Sequence, residues 1–136
     1  MRSGGATMKT VLIVDDEPGI RRLMAAAVLR EGYQVLEAEN GDRALRVAST
    51  HGGPIHLLIT DIRMPGLDGW QLAERLASRR PGLSVIYVSG HCLKPERELA
   101  GLRSEFLAKP FSMRQLVAAV ERLLARVNLS ASGAGT

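Results

Sequence analysis

Five residues of this chain could do chemistry together: Asp15, Asp16, Asp61, Ser89 and Lys109. Each stands where an apolar run stops. Val11-Leu12-Ile13-Val14 gives way to Asp15-Asp16-Glu17, and His56-Leu57-Leu58-Ile59-Thr60 gives way to Asp61. Leu83-Ser84-Val85-Ile86-Tyr87-Val88 stops at Ser89-Gly90, and Glu105-Phe106-Leu107-Ala108 stops at Lys109. Short apolar and β-branched runs read as buried strands, so these polar residues mark strand ends. Taken singly, any of them would be a turn cap or a surface charge. Taken together, three carboxylates repel at close range and become tolerable around a hard divalent cation. Magnesium suits such a set, because it takes a few carboxylate oxygens and keeps waters that a phosphate can replace. A carboxylate beside that ion can attack phosphorus in line and form an aspartyl phosphate, with Lys109 and the Ser89 hydroxyl on the equatorial oxygens.

The elements that must position these groups follow in order along the chain. Lys9–Val14 reads as a strand covered on both faces, and Pro18 suits the first turn of a helix. Ile20, Leu23, Met24, Ala27 and Val28 form that helix's apolar stripe, which ends at Gly32. Tyr33–Ala38 is a second strand, and Gly41–Thr50 a helix with Ala44, Leu45 and Ala48 inward. Asp61 is followed by a Pro65-Gly66 turn, and Asp68-Gly69 opens a helix with Leu72, Ala73 and Leu76 inward, closed by Arg80-Pro81-Gly82. Between His91 and Arg103 the helical signal is weak, since Pro95 and Gly101 interrupt it. Ser112-Met113-Arg114-Gln115 matches a capping box, and Leu116, Val120, Leu123, Leu124 and Val127 draw the stripe of a final helix. Five strands alternating with helices specify a doubly wound parallel sheet of the α/β class, which delivers all five polar residues to one edge.

Composition bounds the remaining possibilities. At 136 residues the chain is of single-domain size, 46% hydrophobic and 24% charged. Residues 1–7 and 129–136 are small and polar and read as flexible tails around a folded unit spanning 8–128. One cysteine, Cys92, excludes an internal disulfide and a cysteine-built zinc site. Neither a membrane-spanning run nor a signal pattern is evident, and the reading is cytoplasmic. A net charge of +4 raises the question of nucleic acid, but Arg21-Arg22 and Arg79-Arg80 fall on separate predicted helices with no stacking aromatics beside them. They read as solvated surface, with no direct nucleic-acid or membrane contact.

The blocks Val11-Leu12-Ile13-Val14-Asp15-Asp16-Glu17, Asp61 to Gly69, Ser89-Gly90 and Lys109-Pro110-Phe111 resemble the signature blocks of response-regulator receiver domains of two-component signalling. The resemblance covers about residues 8 to 128, in order. It implies a flavodoxin-like (β/α)5 fold with strand order 2-1-3-4-5. It implies that Asp61 is the phospho-acceptor, that Asp16 binds Mg2+ directly, that Asp15 holds it largely through water, and that Arg63 contributes its backbone carbonyl. Ser89 and Lys109 would contact the phosphoryl oxygens, and the Lys109-Pro110 bond would be cis. Phe106 matches the family's switch aromatic, whose ring turns inward when Ser89 moves; it reads equally as a core residue of its strand.

The implied partners are a histidine kinase or histidine phosphotransfer protein and a downstream protein target, for a monomer or weak dimer. Lys109 follows Ser89 by 20 residues, slightly short for the family. Arg63 and His91 each lie two residues past an active-site position, where the family tunes water access; His91 also reads as a plain loop histidine. Similarity extends to receivers of hybrid sensor histidine kinases, so a free-standing regulator and an excised relay domain both remain open. A magnesium-dependent phosphohydrolase would need a second acid where Arg63 stands, and a pseudo-receiver would lack the acids or the lysine that this chain keeps.

Overall fold

The computed structural model describes residues 8–90 and 102–133, with side chains of the last helix described as far as Leu124. The irregular helix expected after Ser89 lies mostly outside the described residues, and His91, Cys92 and the Val127 side chain lie outside them altogether. The order is β1 (Thr10–Val14), α1 (Pro18–Arg30), β2 (Gln34–Ala38), α2 (Gly41–Thr50), β3 (Leu57–Asp61), α3 (Gly69–Arg79), β4 (Ser84–Ser89), β5 (Arg103–Ala108) and α4 (Met113–Gly133). All strands are parallel and pair in the order β2-β1-β3-β4-β5.

Side chains alternate across each strand, so every strand feeds two cores. Leu12, Val14, Leu58, Val85 and Tyr87 face α2 and α3, meeting Ala44, Ala48, Leu72, Ala73 and Leu76. Val11, Ile13, Leu57, Ile59, Ile86 and Val88 face α1 and α4, meeting Met24, Val28, Leu116, Val120 and Leu123. Burial on both faces explains why β1, β3 and β4 read as near-continuous apolar runs, while β2 and β5 at the sheet edges are half-exposed.

Two expectations shift. Leu23 is 58% exposed and Ala25 is buried in its place, because the stripe of α1 is narrower than its apolar composition suggests. Helix α4 runs to Gly133, past the Asn128 boundary, since no proline or glycine interrupts it before that point. The predicted capping box is formed: Gln115 N–H donates to Ser112 Oγ at 3.0 Å, and Ser112 N–H donates to Gln115 Oε1 at 2.8 Å.

At the edge of the sheet opposite the acids, His56 ties β1 to β3. Its Nδ1 accepts the Thr10 N–H at 2.9 Å, which requires an unprotonated nitrogen. Burial, with help from the nearby Lys9 charge, lowers the imidazole below its ordinary value of 6.5. A folded-state pKa below the unfolded one gives stability that is complete above about pH 6.5 and lost as pH falls through the depressed value. Denaturant midpoints measured from pH 8 to 5.5 should therefore fall more steeply for the wild type than for His56→Asn; equal slopes would contradict this role.

Candidate functional site

Strand register carries the polar residues to one place. Val14 pairs with Thr60, Asp61 with Val88, and Ser89 with Ala108, so Asp15, Asp61, Ser89 and Lys109 leave the sheet at neighbouring points. Lys109 N–H donates to the Ser89 carbonyl at 2.7 Å, and the Lys109-Pro110 bond is cis. One carboxylate oxygen from each of Asp15, Asp16 and Asp61 lies within 4.8 Å of the others. Lys109 Nζ stands 3.4 Å from Asp61 Oδ2 and 3.6 Å from Asp15 Oδ2.

The three acids differ in their surroundings. Asp15 and Asp61 are buried and Asp16 is exposed. Asp15 Oδ1 accepts the Glu17 N–H at 2.9 Å, while its buried Oδ2 has no hydrogen-bond partner among the described residues. Burial raises the Asp15 and Asp61 carboxyls above the ordinary carboxylate value; Lys109 opposes this at both, the Glu17 N–H opposes it at Asp15, and the Arg63 N–H opposes it at Asp61. Burial alone would lower the Lys109 ammonium, but Asp15 and Asp61 outweigh it and hold the group above its usual value. The buried Asp15 oxygen, which has the Lys109 charge nearby but no hydrogen bond among the described residues, and three converging carboxylates fit a hard divalent cation, whose ligands are oxygens of this kind.

The loop after Asp61 is held tightly. Thr60 Oγ1 donates to the Asp61 carbonyl at 2.9 Å, Ile62 N–H to the Val88 carbonyl at 3.0 Å, and Gly69 N–H to the Ile62 carbonyl at 2.9 Å. A φ of +78° at Gly66 completes the Pro65-Gly66 turn. Asp68 and Gln71 form a capping box at the start of α3. Gly69 has no room for a side chain, since a Cβ there would lie 2.5 Å from the Asp61 carbonyl oxygen.

The remaining sequence candidates fall as follows. Ser89 ends β4 and is buried; the Arg63 side chain is exposed. Phe106 is half-buried, its ring centroid 6.0 Å from those of both Trp70 and Tyr87. Trp70 and Tyr87 are themselves 4.4 Å apart. The sequence reading missed four supports: Thr60, the steric need for Gly69, the Trp70 contact, and Arg21, which donates to the Asp15 carbonyl. Only Asp68-Gly69 carried a local signal, that of a helix start; Thr60 bonds the neighbouring Asp61 carbonyl but reads in sequence as an ordinary strand residue, and the Trp70 and Arg21 contacts form only once separate elements pack.

The model for the response regulator receiver domain matches residues 11–121, and the chain belongs to that family of two-component signalling. It is 34% identical to the response regulator receiver protein CpdR of Brucella abortus (strain 2308), covering 86% of this chain and 98% of that protein. It is 37% identical to the sensor kinase CckA of the same organism over 90% of this chain, which spans only 13% of that kinase. Among solved structures it resembles the response regulator TrrA of Thermotoga maritima, determined with Mg2+ and BeF, with a TM-score of 0.73 and 32% identity, covering 85% of this chain and 99% of that one. No helix among the described residues is long and apolar enough to cross a membrane.

Two outcomes follow from this geometry. Gly69→Ala should destabilise the fold by about 1–3 kcal/mol in denaturant titration, whereas Gly19→Ala, which meets nothing within 4 Å, should be neutral or stabilising. Because the folded-state pKa of Asp15 is raised, its ionisation costs stability at neutral pH. Without divalent cations, Asp15→Asn should melt higher than wild type at pH 7, with the gap closing as pH falls through the raised value. An Asn variant that melts lower at pH 7 would contradict the account.

Proposed function

We propose that Asp61 accepts a phosphoryl group from the phosphohistidine of a histidine kinase or histidine phosphotransfer protein, making residues 8–128 a phosphorylation switch. The observation supporting this reading is the convergence of Asp61 with Asp15, Asp16 and Lys109 at the ends of three strands. Asp15, Asp16 and Asp61, with the Arg63 backbone carbonyl, would hold a magnesium ion, which when bound neutralises the carboxylates and draws charge from a phosphoryl oxygen.

The Asp61 carboxylate forms the new P–O bond as the P–N bond breaks, and the electron pair leaves with the imidazole nitrogen. Lys109, held protonated by its two acid neighbours, places positive charge on a second phosphoryl oxygen, and the Ser89 hydroxyl donates to a third. As Ser89 turns toward that oxygen, Phe106 repacks against Trp70 and Tyr87 and alters the face presented to a downstream protein. Slow hydrolysis of the acyl phosphate resets the site, so the domain regulates rather than turns over substrate.

The same chemistry serves a free-standing regulator, as similarity to CpdR suggests, and a relay step within a hybrid kinase, as similarity to CckA suggests. In either setting, incubation with a small phosphodonor and magnesium should add one phosphate to the intact mass of wild-type protein and none to Asp61→Asn. Equal incorporation by both, or none by wild type, would rule the reading out.

A further inference from the structure

Arg21 lies in the first half of α1 and reaches two other elements. Its Nη1 donates to the Asp15 carbonyl at 2.8 Å, and its Nε donates to Glu37 Oε1 at 3.1 Å. The Arg21 side chain is 13% exposed, against 40% for Glu37. With Asp16, Pro18, Glu39, Asn40 and Pro65 it lines a cavity of about 370 Å³, so it faces the same space as the exposed acid.

We propose that Arg21 is a positioning residue for the cation site: it grips the Asp15 carbonyl from α1 while Glu37 of β2 fixes its other edge, setting the backbone from which Asp15 and Asp16 project. The inference rests on the reading that these carboxylates bind magnesium. Strand β1 ends at Val14, and the Asp15 N–H reaches the Ala38 carbonyl at a longer 3.2 Å. Past that bond, the Arg21 donor anchors the turn into α1. Asp15 has no exposed surface while Arg21 stands over it, so its carbonyl relies on that donor in the folded protein. A guanidinium presents several donors from one rigid plane and can hold two acceptors at once; an ammonium on a flexible stem does this poorly.

Charge and positioning make opposite predictions here. A cation beside a dication site weakens binding through space, so deleting Arg21 for its charge alone would tighten magnesium binding. Deleting it as a support for ligand-bearing backbone would weaken binding, as loss of groups that orient metal ligands does elsewhere.

The test is calorimetric titration of the intact chain with MgCl2, paired with phosphate incorporation at limiting and saturating magnesium. Arg21→Ala should raise the magnesium Kd about tenfold or more, with incorporation poor at limiting magnesium and recovering at saturation. Arg21→Lys should fall between it and wild type, and carries the test if the alanine variant does not fold. An unchanged or lower Kd in Arg21→Ala, or a wild-type Kd in Arg21→Lys, overturns the proposal. Failure of wild type to bind magnesium would instead overturn the metal reading on which it rests.

Discussion

Three carboxylates stand at the ends of two adjacent strands, and among the described residues one ammonium, that of Lys109, stands between them. At an effective dielectric of about 20, two unit charges 4.8 Å apart repel by roughly 3 kcal/mol. Among the described residues, the positive charge of Lys109 against three carboxylates leaves the ionised cluster net negative, so a divalent cation can balance it. Burial of Asp15 and Asp61 sharpens this repulsion and raises both carboxyls, and the surrounding structure resists it by tying their backbones at several points.

The fold supplies the stiffness this needs. β1, β3 and β4 are covered on both faces, and each apolar side chain they bury contributes on the order of 1.5–3 kcal/mol. A strand packed on both sides cannot slip by one residue without sending its side chains into the opposite core. Register is thereby fixed, and with it the juxtaposition of Asp15, Asp61 and Ser89. The loops then need only short anchors: the Thr60 hydroxyl, the bare Cα of Gly69, the Asp68 capping box and the Arg21 fork.

Much of this was legible in the sequence because strand ends and helix starts leave local signals. Apolar runs that stop at Asp15, Asp61, Ser89 and Lys109 located the strand ends, and the alternation of elements dictated a parallel sheet and hence a shared edge. The Asp68 and Ser112 caps were readable from residues three positions apart. Arg21 was not, because its partners lie six and sixteen residues away on different elements, and its own surroundings on α1 look like an ordinary exposed face. Gly69 was read only as a helix start, since its contact with the Asp61 carbonyl exists only once α3 folds back on β3. Leu23 failed for the complementary reason: its spacing suits the stripe, but the neighbouring elements leave that side of α1 uncovered.

The aromatic contacts of Phe106 link the partly exposed β5 edge to the loop beside Asp61, since Trp70 follows directly on the Gly69 that abuts Asp61. The central claim, that these strand ends form one phosphoryl-binding site, is tested most directly by a crystal structure grown with magnesium and beryllofluoride. The account predicts beryllofluoride on an Asp61 carboxylate oxygen, with Lys109 and Ser89 on its fluorines and Asp15 and Asp16 beside the metal. Beryllofluoride on another residue, or a metal bound away from these acids, would contradict it.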